Sequence, residues 1–149
     1  YFTEQWTGST GNFNGDLKWH TKNVIIGTMK NWSRVALEWN LASDPAYKPH
    51  TPGGCTQCKG ALTIDGEHIN RNVGYYIIAH ASKFIPDGSH RVYSTDLEGL
   101  SNVAFVTPQG KKVLLVLNEQ NVDKTFSVNF NGKQASYTIT ANTVATIVW

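Results

Sequence analysis

The chain has 149 residues, of which 40% are hydrophobic and 16% are charged, and this composition predicts a globular protein with a substantial core. Its formal net charge of +2 is too small to indicate binding to nucleic acid or to an anionic membrane surface. No apolar run approaches the roughly 20 residues that a membrane span requires.

The first predicted strand carries a carboxylate. Residues 1–6 form a short apolar and aromatic run with Glu4 in its middle, and a small polar loop, residues 7–14, follows directly. This arrangement is typical of a β/α-barrel strand that delivers a catalytic acid to the C-terminal rim of the barrel, where the active sites of that fold lie. The alternative is a half-buried strand whose Glu4 faces water, because carboxylates are mostly exposed.

A helix at about residues 15–29 and a second strand at residues 34–39 are predicted next. The helix prediction depends on residues that recur at spacings of three and four: Leu17, Thr21, Val24 and Thr28. If the two strands are neighbours in a parallel sheet, Glu4 and Trp39 lie side by side at one rim. A carboxylate next to an indole ring suits glycoside hydrolysis, in which a carboxylate attacks or stabilises an oxocarbenium-like sugar.

A long loop and a second helix complete the first part of the chain. The loop, residues 43–60, is rich in Pro, Gly and Thr, and a loop of this length is usually functional or disordered. A short strand at residues 61–64 and an amphipathic helix at about residues 73–84 follow. The order of elements is that of two consecutive β/α units.

From residue 90 the pattern changes to short alternating runs separated by turn signals, among them the hairpin signal Asn131-Gly132. Six strands are predicted: residues 91–95, 102–107, 112–118, 124–130, 134–140 and 144–149. They indicate an antiparallel meander in one or both sheets of a β-sandwich. The predicted fold class is therefore α/β plus all-β, with a barrel part at residues 1–88 and a β-sandwich domain at residues 89–149.

A family resemblance runs through the whole length of the chain. It is carried, in chain order, by FTEQW, WHTKNVIIGT, EWNLASDP, PHTPGGCTQCKGALTI, HASKFIPDGSHRV, VLLVLN and the closing VATIVW. These segments resemble the C-terminal end of glycoside hydrolase family 30, which includes glucocerebrosidase and the bacterial and fungal β-1,6-glucanases. The segments WNLA and SKFIP-x-GS are the specific part of the match.

The resemblance implies a retaining β-glycosidase in which a (β/α)8 barrel carries a β-sandwich built partly from residues ahead of the barrel. By position, Glu4 matches the family's nucleophile at the end of the seventh barrel strand. Trp39 matches an aromatic residue that lines the sugar subsite at the end of the eighth. No cofactor and no metal ion are implied.

The second carboxyl group of a retaining enzyme is expected outside this chain. The family's acid/base is a Glu that follows an Asn at the end of the fourth barrel strand, and no such strand precedes Glu4. Asn118-Glu119 is the only Asn-Glu pair, and it lies in the predicted β-domain. Glu38 precedes Trp39, so strand alternation directs the two side chains to opposite faces. We therefore expect a fragment of a longer enzyme that is inactive by itself.

Several further site residues are predicted with alternatives. Trp6 is expected either to floor an outer sugar subsite or to pack under the following loop. His50 could hydrogen-bond a sugar hydroxyl or be a solvated loop histidine. Cys55 and Cys58 are expected to form a disulfide in an exported hydrolase, with free thiols or a zinc site as alternatives. A similar Cys pair in the glucanase branch of the family favours β-1,6-glucan as the substrate over a glucosylceramide-like β-glucoside.

The predicted location is secreted, periplasmic or at the cell surface, with a carbohydrate substrate and the rest of the barrel as the partners. A function of a different class stays open. In that interpretation the chain is a non-catalytic carbohydrate-binding or structural β-domain, and residues 1–88 only pack against it.

Overall fold

The computed structural model describes residues 1–149 and contains twelve strands and two helical regions. The first helical region consists of α1 (Phe13–His20), a π-helical segment (Thr21–Gly27) and α2 (Thr28–Lys30), and the second is α3 (Val73–Ser82). The strands are β1 (Phe2–Gly8), β2 (Ala36–Trp39), β3 (Ala42–Ser43), β4 (Cys58–Lys59), β5 (Leu62–Asp65), β6 (His68–Arg71), β7 (His90–Val92), β8 (Leu100–Val106), β9 (Lys112–Asn118), β10 (Lys124–Phe130), β11 (Lys133–Ile139) and β12 (Val144–Val148). Neither helical region is long and apolar enough to cross a membrane.

β1 and β2 are parallel neighbours joined through the first helical region, which confirms the predicted pairing. Trp6 is in register with Trp39, the last residue of β2, and β1 continues beyond this pair to Gly8. The short strand β4 pairs with the end of β1 in the antiparallel direction and brings part of the long loop to this end of the sheet. β2 has β1 as its only strand neighbour.

The first helical region begins as the sequence predicts and then departs from α-helical geometry. The Asn12 side chain caps α1 by accepting a hydrogen bond of 3.0 Å from the Gly15 amide. From Thr21 the helix widens into the π-helical segment, in which the consecutive residues Val24, Ile25 and Ile26 are all buried. An apolar stripe of α-helical spacing would not bury three successive side chains.

The long loop is partly ordered by a small sheet of order β3–β5–β6. β5 overlaps the strand predicted at residues 61–64, but β6 was not predicted because all of its residues are exposed and most are polar. Asn72 precedes α3 with an extended backbone, yet its side chain does not cap the helix. It donates instead to the Gly60 carbonyl and to Thr63 Oγ1, both at 2.8 Å, and so connects the loop with the small sheet.

The C-terminal strands do not form the simple meander that the sequence predicts. Their main sheet has the order β12–β9–β8–β7, and β10 and β11 form a separate hairpin that packs across it. The last strand returns to β9 because β9 is apolar from Val113 to Leu117 and needs neighbours on both edges and cover on both faces. The hairpin turn Asn131-Gly132 is confirmed, with positive φ angles of 49° and 74°.

One buried cluster joins the two predicted regions. It consists of Val24, Ile25, Ile26, Val73 and Ile77 from the helices and Val103, Phe105, Val113, Leu115 and Leu117 from β8 and β9. A second cluster on the opposite face of the same sheet contains Leu100, Leu114, Val116, Phe126 and Ile139. The helices therefore cover one face of the main sheet and the hairpin covers part of the other, so a single core crosses the predicted boundary at residues 88/89.

The hairpin leaves an apolar groove of about 470 Å³ between itself and the main sheet. Its lining includes Leu100, Leu114, Phe126, Phe130 and Trp149. Most of its lining residues are hydrophobic, and Lys112 is the only one with a charged side chain.

Candidate active site

Glu4 lies on the face of β1 that is turned away from the helices. Phe2 packs against the helical core and pairs with Ala36, whereas Gln5 pairs with Glu38. Two residues of β1, Thr3 and Glu4, therefore stand opposite the single residue Leu37 of β2, which is a β-bulge. The bulge keeps Phe2 and Gln5 on the helix side and directs Glu4 to the other face, where its carboxylate is exposed and forms no ion pair.

Two indole rings share the face of Glu4. Trp39 is 47% exposed, and its register partner Trp6 is 41% exposed. The Trp6 ring lies over the backbone of Gly8, where a β-carbon would come within 3.0 Å of the ring. Gly8 thus leaves room for the ring to lie along the strand. The face combines a free carboxylate with two aromatic surfaces that suit stacking against sugar rings.

Glu38 lies on the opposite face of β2 and contacts the first helical region. Its Oε1 is 2.7 Å from Nδ1 of His20, and the side chains are only 7% and 6% exposed. The other carboxylate oxygen, Oε2, is buried and has no hydrogen-bond partner. Strand alternation correctly predicted the direction of the Glu38 side chain. No sequence pattern indicated that His20, which lies 18 residues earlier, would be its partner.

The long loop reaches the C-terminal end of β1, beyond Glu4 and Trp6. Cys58 is buried and pairs with Gly8 at the end of β1, and a disulfide joins it to Cys55. The disulfide therefore lies next to the strand that carries Glu4 and Trp6. His50 lies farther out in this loop, is exposed, and has Nδ1 3.3 Å from the Thr51 carbonyl.

The structure thus brings Glu4, Trp6 and Trp39 together on one sheet face, with the disulfide loop at its end. No second carboxylate joins them from β2, because Glu38 points to the helix side. Asn118, which precedes Glu119, is fully buried at the end of β9, and its amide nitrogen lies within 3.2 Å of three backbone carbonyl oxygens. Its role there is structural.

The chain is similar in sequence to known glycoside hydrolases. Residues 88–147 match the model of the glycosyl hydrolase family 30 beta sandwich domain. The chain is 30% identical over 156 residues to the endo-1,6-beta-D-glucanase BGN16.3 of Trichoderma harzianum, which covers 99% of this chain and 31% of that protein. It is 33% identical over 97 residues to the lysosomal acid glucosylceramidase of Mus musculus, covering 62% of this chain and 18% of that protein.

A solved structure gives the same result for the fold. The endo-beta1,6-glucanase BT3312 superposes with a TM-score of 0.86 at 28% identity, over 99% of this chain and 35% of that chain. The chain therefore spans about a third of the length of the glucanases that it matches.

Proposed function

Because the chain belongs to glycoside hydrolase family 30, we propose that it is the C-terminal part of a retaining β-glycosidase. Residues 1–88 would form the last two β/α units of a (β/α)8 barrel, and residues 89–149 the β-sandwich attached to it. Glu4 would be the nucleophile that attacks the anomeric carbon, and Trp39 would line the sugar subsite next to it. An outer subsite would include Trp6, and His50 would contribute a hydrogen bond from the loop.

The observation that carries this proposal is the placement of Glu4 and Trp39 on one face of a parallel strand pair. The ends of parallel strands in a β/α barrel are where catalytic residues of that fold lie. The bulge at Thr3 and Glu4 supports it further, because bulges re-aim side chains next to active sites. The opposite face of the strands carries Phe2 and Ala36 into the core, so only one face is available for a ligand.

The proton donor would come from a part of the enzyme outside these residues. A retaining mechanism needs two carboxyl groups about 5 Å apart. Glu38 is the only carboxylate on β2, and it is buried against His20 on the other face. We therefore expect the 149-residue chain alone to have no hydrolase activity.

β-1,6-Glucan is the proposed substrate, because two proteins that are 30% and 28% identical over 99% of this chain are named as endo-1,6-glucanases. A glucosylceramide-like β-glucoside is the alternative, supported by the shorter match to the glucosylceramidase. The proposed location is outside the cytoplasm, in agreement with the disulfide next to the site. The apolar groove would receive the strands from ahead of the barrel that complete the sandwich.

A purely structural or carbohydrate-binding β-domain is the competing function, and the shared core argues against it. Ile77 and Val24 from the barrel part are fully buried against Leu115 of the main sheet. Removal of residues 1–88 would expose that face of the sheet to water. The first part of the chain is therefore not dispensable packing around an independent module.

Activity of the full-length enzyme with Glu4→Gln tests the proposal. The variant keeps the shape of the side chain but removes the nucleophile, so kcat on β-1,6-glucan and on an aryl β-glucoside should fall by about a thousandfold or more. Glu67→Gln, an exposed residue in the turn between β5 and β6, is the matched control and should leave both activities unchanged.

The anomeric form of the first product, followed by NMR, supplies the second criterion. Retention of the β configuration is expected for two carboxyl groups that act by double displacement. An active Glu4→Gln enzyme, or a first product of inverted configuration, would contradict the proposed mechanism. Turnover of an aryl β-glucoside by the 149-residue chain alone would refute the proposal that the acid/base lies outside these residues.

A further inference from the structure

We propose that the buried His20–Glu38 pair is a positioning element that sets the orientation of Trp39 toward the sugar. The inference depends on the proposed function, since it assigns a residue pair that supports the proposed subsite. It concerns two side chains that lie on the opposite face of β2 from the sugar and cannot contact a ligand there.

The pair connects the first helical region, at the point where α1 passes into the π-helical segment, with the end of a strand. His20 is the last residue of α1, and Glu38 is the penultimate residue of β2. Their side chains are in hydrogen-bond contact at 2.7 Å and more than nine-tenths buried. Both residues are therefore held by their own elements, and the contact fixes the distance between those elements.

The stability of the fold does not explain this pair. Removing a carboxylate and an imidazole from water carries a large desolvation penalty, and well-packed apolar side chains of similar volume are often as stabilising as a buried ion pair. The penalty is increased here because Glu38 Oε2 has no partner. What a directional contact supplies, and an apolar one does not, is a defined geometry.

Trp39 is the residue that this geometry controls. β2 has only four residues and is hydrogen-bonded to a neighbouring strand along one edge, so its twist at the end is weakly determined by the sheet. Glu38 immediately precedes Trp39, and strand alternation turns their side chains to opposite faces. Fixing the Glu38 side chain to α1 therefore fixes the backbone direction from which the Trp39 ring projects.

A double-mutant cycle on kcat/KM in the full-length enzyme tests the inference. The variants are His20→Leu, which removes the contact, Trp39→Ala, and the combination of the two. A misplaced ring costs about 10- to 100-fold in kcat/KM, so each single variant should lose activity on an aryl β-glucoside. The double variant should lose little more kcat/KM than Trp39→Ala alone, because without the indole ring the His20–Glu38 pair has no side chain to orient.

His20→Asn is the matched control, because its side-chain nitrogen occupies a place close to Nδ1 and can still donate to Glu38. It should recover most of the kcat/KM that His20→Leu loses. If His20→Leu fails to fold, Glu38→Asp replaces it in the cycle, since the shorter side chain lengthens the 2.7 Å contact and keeps the charge.

The free energy of unfolding of the same variants supplies a readout that separates positioning from support of the fold. The two single losses of stability should add, whereas the losses of kcat/KM should not. If Trp39→Ala lowers kcat/KM and the losses of the two single variants add in the double variant, this inference is overturned and the proposed function stays intact. An unchanged kcat/KM in Trp39→Ala would instead overturn the proposed role of Trp39, and this inference with it.

Discussion

Ile77→Ala should destabilise the whole chain as one unit, although Ile77 lies in the part predicted to be a barrel. Its side chain is completely buried in α3 and belongs to the cluster that includes β8 and β9. Truncation leaves a cavity between the helix and the main sheet. Both sides of the predicted boundary then lose the same contacts, so both should unfold at the same, lower, denaturant concentration.

The expected size follows from the burial of the side chain. Ile-to-Ala substitutions at fully buried sites cost about 2–5 kcal/mol, including the cavity that remains. For a protein of about 150 residues, 1 kcal/mol corresponds to about 2–4 °C in Tm. A decrease of roughly 10 °C is therefore expected. Ile69→Ala, at a site that is 64% exposed, is the control and should change stability by less than about 0.5 kcal/mol.

Amide hydrogen exchange provides the decisive assay, because it reports on each element separately. The amides of β9 are the most informative, since that strand lies at the centre of the main sheet. In Ile77→Ala their protection should fall by the same free energy as that of the α3 amides. Faster exchange in α3 with unchanged protection in β9 would refute the single core and favour two independent domains.

Three further substitutions or conditions give defined outcomes. Asn118→Leu should cost about 3 kcal/mol in chemical denaturation, because buried carbonyls lose their donor. Burial lowers the pKa of His80 below its ordinary 6.5, so on acidification the unfolded chain binds this proton before the folded chain does. The free energy of unfolding should therefore fall as the pH drops below about 6.5. The variant His80→Gln should show a smaller decrease over the same pH range. Burial acts to raise the pKa of Glu119, but hydrogen bonds from Lys22 and Ser101 and the Lys22 charge outweigh it and lower the pKa. The stability that comes from the ionised Glu119 is present above about pH 4.5 and is lost at lower pH. Lys22→Met should therefore be less stable than the wild type at neutral pH and should lose less stability on acidification. Denaturant titrations at several pH values would measure both effects.

The sequence correctly predicted the elements that are determined by contacts between residues close together in the sequence. The apolar run of β9 and the Asn131-Gly132 turn specify strand and hairpin geometry within a few residues of sequence. The direction of Glu38 away from the face of Trp39 also followed from alternation alone. These features need no knowledge of the rest of the fold.

Features that depend on distant contacts could not be predicted in this way. The return of β12 to β9, rather than continuation of a meander, is decided by the apolar residues on both faces of β9. The contact of His20 with Glu38 joins elements that only tertiary packing brings together. The bulge opposite Leu37 is likewise visible only in the pairing register.

The π-helical segment has a consequence for how this sequence tolerates insertions and deletions. A π-helical turn holds about one residue more than an α-helical turn. Deletion of one residue within Thr21–Gly27 would therefore be absorbed as a wide turn tightens, and His20 would keep its direction toward Glu38. The turns of α1 have no such extra residue. Each α-helical residue advances the helix by about 100°, so a deletion between Leu17 and His20 would rotate Leu17 away from the core against which it packs. Relatives that lack one residue in the π-helical segment should thus still keep the His20–Glu38 pair.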